Sequence, residues 1–165
     1  LCEMPDYMPA NARRVGVFVN EDKQTIEMFA DRFSLDFIQL HGNESPEYCR
    51  SLQLSGLKLI KAFPIASRKD LQNVHNYSNF CKYFLFDTKC EQRGGSGNQF
   101  DWSILHTYKG RTPFILSGGI NPYSAKALKE FQHPLLVGYD LNSRFEVKPG
   151  RKDAQRIHQF LNELR

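Results

Sequence analysis

No apolar run in this 165-residue sequence approaches the roughly 18 residues that a membrane-spanning helix needs. Its first residues, Leu1-Cys2-Glu3-Met4-Pro5, are too mixed for the apolar core of a secretory leader. A membrane partner is therefore not expected. No CxxC pair occurs among the four cysteines, Cys2, Cys49, Cys81 and Cys90. Their wide spacing excludes the common zinc and dithiol motifs and reads as reduced thiols in a cytoplasmic chain, with no metal expected. No cluster of lysines or arginines stands out, and the net charge of +4 is spread along the chain, so nothing resembles a nucleic-acid-binding tail. What remains, 41% hydrophobic and 24% charged residues, is ordinary for a globular protein, and the length fits a single domain over residues 1–165.

Short β-rich runs alternate with amphipathic stretches. Strands are expected at 14–19, 36–40, 57–61, 82–86, 112–116 and 134–139, and helices at 23–33, 46–54, 68–77, 102–108, 122–131 and 152–164. In the first helix Ile26, Phe29, Ala30 and Phe33 fall on one side. Ser45 before Pro46 and Asn121 before Pro122 have the form of an N-cap followed by proline at the first helical position. Pro149-Gly150 reads as a turn, with Arg151-Lys152-Asp153 opening the last helix. Six β-then-α units argue for a parallel sheet with helical crossovers. A doubly wound sheet and a (β/α)8 barrel both fit that alternation. Loops of phosphate-binding type after the last two strands favour the barrel. Six units fall two short of closure, and a full barrel usually takes at least about 200 residues, so the chain is expected to begin partway through one.

The stretch YFLFDTKCEQRGGSGNQFDW (83–102) carries the strongest chemical signal. An apolar run ends abruptly in Asp87, and a loop with Gly94, Gly95 and Gly97 follows before Phe100-Asp101-Trp102. A carboxylate at the C-terminal end of a buried strand, beside a loop able to close over a ligand, suits acid–base chemistry. Asp101 reads as the N-cap of the helix beginning at Trp102.

Gly118 and Gly119 follow the penultimate strand. They suit close approach of backbone N–H groups to an anion, or simply a tight βα turn. Asp140 ends the last strand, where it can grip ligand hydroxyls or an amine. Asn142 and Ser143 serve equally as phosphate donors or as a capped turn. His41, at the end of the second strand, is a substrate contact or proton carrier on one reading and a hydrogen-bonded wall residue on the other. Lys61 is a wall residue or an anion contact.

Taken together, VGVFVN (15–20), QLHGNESPEYC (39–49), IKAF (60–63), LFDTKCEQRGGSGNQFDW (85–102), LSGGINP (116–122) and PGRKD (149–153) resemble the phosphoribosylanthranilate isomerase family of tryptophan biosynthesis. The resemblance spans essentially the whole chain in order. It implies a (β/α)8 barrel without cofactor that performs an Amadori rearrangement of N-(5-phosphoribosyl)anthranilate, a small-molecule substrate. By position Asp87 matches the family's general acid. Gly118, Gly119, Asn142 and Ser143 match its phosphate site, and Asp140 a contact to the reacting part of the substrate. The family's general base lies in a Lys-x-Cys-Gly motif of the first strand, and a Lys/Ser-x-Arg-Tyr loop follows the second. Neither motif occurs here, and Arg144 stands where many relatives carry glycine. The resemblance therefore implies about six of the eight βα units, with the first two lacking and two sheet edges left to associate, as in a homo-oligomer. A sugar-phosphate-binding fragment without turnover is the alternative.

Overall fold

A computed structural model describes residues 9–88 and 102–165. Six strands, β1 (Val15–Phe18), β2 (Phe37–Leu40), β3 (Leu59–Ile65), β4 (Cys81–Thr88), β5 (Phe114–Ser117) and β6 (Leu136–Tyr139), form one sheet in chain order. Every neighbouring pair is parallel, with Gly16 opposite Ile38, Leu40 opposite Lys61, Phe63 opposite Phe86, and Asp87 opposite Ser117. Sequential order without reversal is the order of a barrel wall; a doubly wound sheet reverses at a switch point.

The helices settle the same question. Strand residues alternate between two faces. Ile38, Leu40, Leu59, Phe84, Phe86, Phe114 and Leu116 share one core with the buried residues of every helix. These are Ile26 and Ala30 of α1 (Lys23–Arg32), Cys49 and Leu52 of α2 (Pro46–Leu54), Ala125 and Leu128 of α3 (Ala125–Glu130), and Phe160 of α4 (Ala154–Leu164). The opposite face carries a small cluster of Ile60, Ala62 and Leu85, flanked by Phe37, Tyr83 and Ile115, with no helix residue in it. Helices on one face only is the barrel arrangement. β1 pairs only with β2, and β6 only with β5, among the described residues. Val15, Val17 and Val19 at the β1 edge and Val137 in β6 stay exposed.

The expected caps form. Ser45 accepts from the Tyr48 N–H at 3.2 Å ahead of α2, and Asn121 accepts from the Tyr123 N–H at 2.9 Å ahead of the 3-10 turn Pro122–Ser124 that leads into α3. Three expectations need correction. Residues 68–77 are not one helix but two 3-10 turns, Arg68–Leu71 and Val74–Tyr77. Asp70 takes the Ala66 and Ser67 N–H groups at 2.9 and 2.7 Å, and His75 Nδ1 lies 2.7 Å from the Gln72 carbonyl oxygen, so side chains compete for the groups an α-helix would pair. Residues 102–107 likewise form a 3-10 helix, Trp102–Thr107. Arg151 and Lys152 do not open the last helix. They form β8 (Arg151–Lys152), antiparallel to β7 (Glu146–Lys148) around Pro149-Gly150, and Asp153 then caps α4 by accepting from the Arg156 N–H at 3.0 Å.

Candidate active site

The C-terminal ends of all six strands lie along one rim, where barrel enzymes place their chemistry. Asp87 follows Tyr83 and Leu85 at alternate positions of β4, so it faces the side opposite the helices. Its Oδ2 lies 3.8 Å from Nε2 of His41, and both side chains are about one-third exposed. The imidazole is anchored on its other side, with Nδ1 2.8 Å from Oε1 of Gln39. The hydrogen-bonded reading of His41 fits this ring, whose other nitrogen faces Asp87.

The loop after β5 packs hard against Asp87. Gly118 and Gly119 both have left-handed backbone, φ 83° and 67°. A Cβ on Gly118 would sit on the Thr88 carbonyl oxygen, 2.5 Å from the Thr88 nitrogen and 2.8 Å from Asp87 Oδ1. Glycine is thus required here for close approach between two strand ends as well as for φ. The buried Thr88 hydroxyl donates to the carbonyls of Ser117 and Gly118, at 2.8 and 3.1 Å, and ties the same two ends together. Ser117 Oγ donates to Asp140 Oδ2 at 2.8 Å, which fixes the second strand-end carboxylate. Asn142 and Ser143 lie beyond it, with the Asn142 side-chain oxygen accepting from Lys152 Nζ at 2.9 Å and Ser143 opening a 3-10 turn.

Lys61 is not an anion contact. Its ammonium is buried, donates to the carbonyls of Leu40, Gly42 and Ala62, and pairs with Glu44 Oε2 at 3.2 Å. Burial pushes the Glu44 carboxyl up, but the Asn20 N–H and its other donors and the Lys61 charge outweigh that and hold it below the usual glutamate range. Glu44, Thr88 and Ser117 are residues that the sequence reading missed. A lysine inside an otherwise apolar strand was the available signal, since such a charge needs a buried partner.

Cys49 and Cys81 are free and buried on the helix side. Contact with Cys49 together with burial pushes the Cys81 thiol up. Cys2, Cys90, Gly94, Gly95, Gly97 and Asp101 lie outside the described residues. Among the described residues no group of three or more His, Cys, Asp or Glu can hold a metal ion, and no helix is long and apolar enough to cross a membrane.

The chain is similar to known proteins in sequence and fold. The family model for N-(5'phosphoribosyl)anthranilate (PRA) isomerase matches residues 6–163. N-(5'-phosphoribosyl)anthranilate isomerase of Parabacteroides distasonis is 52% identical over 159 residues, covering 96% of this chain and 72% of that protein. The crystal structure of the phosphoribosyl anthranilate isomerase from Thermotoga maritima superposes with a TM-score of 0.80 at 36% identity, over 95% of this chain and 75% of that one. A further isomerase structure, in complex with reduced 1-(o-carboxyphenylamino)-1-deoxyribulose 5-phosphate, matches at 33% identity with a TM-score of 0.79, over 95% of this chain and 73% of that one. A family model spanning nearly the whole sequence, with a relative sharing half of its residues, places this chain in the N-(5'-phosphoribosyl)anthranilate isomerase family.

Proposed function

We propose that the chain works as an aldose–ketose isomerase, an intramolecular oxidoreductase. It would convert N-(5-phosphoribosyl)anthranilate to 1-(2-carboxyphenylamino)-1-deoxyribulose 5-phosphate without a cofactor, in the cytoplasm. The observation that carries this reading is Asp87, a strand-end carboxyl 3.8 Å from His41 and packed against Gly118. In the reaction the Asp87 carboxyl gives its proton to the ribose ring oxygen as the C1–O bond opens, and the anthranilate nitrogen supplies the electron pair for a Schiff base. Loss of the C2 proton to a base gives an enolamine, which tautomerises to the ketone. Cys49 and Cys81 are not assigned the base role, because both are buried on the helix side. His41 contacts the substrate beside Asp87. Asp140, aligned by Ser117, contacts its reacting part. Gly118, Gly119, Asn142 and Ser143 hold the phosphate; the consecutive left-handed glycines support that placement.

The single domain supplies six βα units of an eight-unit barrel, and the two remaining units belong between β6 and β1. The edges, unpaired among the described residues, and the exposed Val15, Val17 and Val137 support this, and also support association of copies through those edges.

The test follows the loss of substrate fluorescence on turnover. Asp87→Asn should lower the rate on the order of 10²–10⁴-fold, and a wild-type rate in that variant would remove Asp87 from the reaction. Calorimetric binding of reduced 1-(o-carboxyphenylamino)-1-deoxyribulose 5-phosphate without turnover would favour the sugar-phosphate-binding alternative.

A further inference from the structure

The loops after β1, β2 and β3 converge on the buried Glu44–Lys61 pair, which the reaction described above does not use. Glu44 Oε1 accepts from the Asn20 N–H at 2.8 Å, and both carboxylate oxygens accept from the Gly42 N–H, at 3.1 and 3.0 Å. Lys61 Nζ donates to the Gly42 carbonyl at 2.9 Å and to Leu40 and Ala62 carbonyls at 3.3 and 2.8 Å. Asn20, in left-handed backbone at φ 51°, accepts from the Asn43 N–H at 2.7 Å through its side chain. The Tyr77 hydroxyl donates to the Glu44 carbonyl at 3.0 Å and brings in the segment after β3.

The consequence falls on His41. Its own N–H donates to the Phe18 carbonyl at 2.8 Å. The next peptide group, between His41 and Gly42, is held by Glu44. The one after, between Gly42 and Asn43, is held through its carbonyl by Lys61 and through its N–H by Asn20. A Cβ on Gly42 would sit on Asn20 Oδ1 and 2.7 Å from Glu44 Oε1, so these two side chains together fill the space a side chain there would need. Displacement of the two peptide groups that follow His41, which would move the ring's point of attachment, is thus opposed by charge-assisted hydrogen bonds to Glu44 and Lys61, while the ring itself is held by Gln39. The ammonium has neither exposure nor a spare donor for a ligand, which leaves positioning as its role.

We infer that Glu44 and Lys61 are positioning residues that set His41 opposite Asp87 and so govern affinity for the sugar-phosphate ligand and its turnover. The inference rests on the roles given to Asp87 and His41 above. A buried ion pair adds little net stability over well-packed apolar residues of similar size. The double substitution Glu44→Gln with Lys61→Met removes both charges at nearly constant volume and should therefore fold. Glu44→Gln alone, which keeps the shape and one acceptor oxygen, carries the same test should the double variant not fold.

The experiment takes the full chain, confirms folding by circular dichroism, and records the His41 ring resonances by NMR. Calorimetry then measures the Kd for reduced 1-(o-carboxyphenylamino)-1-deoxyribulose 5-phosphate. The expected result is a folded variant with shifted His41 resonances and affinity weakened about ten- to a hundredfold, the range that a small misplacement of a positioned group produces. Combined with His41→Asn, the loss should be less than the product of the separate losses, because the pair acts through His41. A folded variant with wild-type His41 resonances, or losses that multiply fully, would overturn the inference. If Asp87→Asn keeps a wild-type rate while Glu44→Gln still shifts His41, the acid assignment fails and the positioning role stands.

Discussion

Replacing Gly118 by alanine should do two separable kinds of damage. The residue has φ 83°, and an alanine held in left-handed backbone costs about 1–2 kcal/mol. The added methyl would also overlap the Thr88 carbonyl oxygen and stand 2.5 Å from the Thr88 nitrogen, where unstrained heavy-atom contacts lie nearer to about 3.5 Å. Its obstacle is backbone rather than a side chain that can swing away, so the end of β4 or the β5 loop must retreat by roughly 1 Å. Overpacking of that kind adds about 1–3 kcal/mol. The sum is about 2–5 kcal/mol. Gly56 is the internal control: its φ is 84°, and nothing lies within 4 Å of an added Cβ. Gly56→Ala should therefore show the backbone part alone, about 1–2 kcal/mol, and the difference between the two variants isolates the steric part. Urea unfolding at neutral pH measures both. The residue that must yield is Thr88, which bonds the Ser117 and Gly118 carbonyls and adjoins Asp87. Gly118→Ala should thus also lower turnover, by about 10²-fold for an ångström of misplacement. Equal destabilisation by the two alanines, within about 0.5 kcal/mol, would refute the close approach described for the loop.

Lys61→Met leaves the Glu44 carboxylate buried without its cation, and loss of one member of such a pair costs about 3–5 kcal/mol. Urea midpoints should show it, and adding Glu44→Gln should recover most of the loss. The Glu44 carboxyl is held below its unfolded value of about 4.3, so its contribution to stability is fully present above that pH. It disappears as the pH falls through the lower folded value. Urea midpoints collected from pH 6 down to pH 3 should therefore fall less steeply below about pH 4.3 in Glu44→Gln than in the wild type. Parallel curves would remove Glu44 from the acid sensitivity of the fold.

These residues also show what sequence reading could reach. Asp87 was legible because a carboxylate interrupts an apolar run, and a strand pattern states which end of the strand it occupies. Ser45 and Asn121 were legible because capping is decided within four residues. Residues 68–77 misled for a physical reason. Leu71, Val74 and Tyr77 recur every three residues, a spacing that one face of an α-helix tolerates but that is the true repeat of a 3-10 helix. The choice of barrel over doubly wound sheet was legible through the loops after the last two strands and the family resemblance, not through the alternation of elements. Alternating β and α units give the number of crossovers, whereas strand order and the face each helix takes emerge only when the sheet assembles.

Glu44 marks the limit most clearly. Nothing in HGNE distinguishes a carboxylate that caps a loop from one in solvent. Its role comes from an N–H at Asn20, an ammonium at Lys61 and a phenol at Tyr77. Those groups are contributed by two βα units other than its own, those of β1 and β3, and meet only in the folded sheet. Lys61 carried a signal that went unread, since an isolated ammonium in that strand would be prohibitively costly and needs a buried countercharge. It could not announce which of the carboxylates would answer. That is why the residues at the rim were easier to place than their support. A reacting group must sit at a strand end, and strand ends are written locally, whereas the groups that hold it in place are recruited from whichever loops the topology brings alongside.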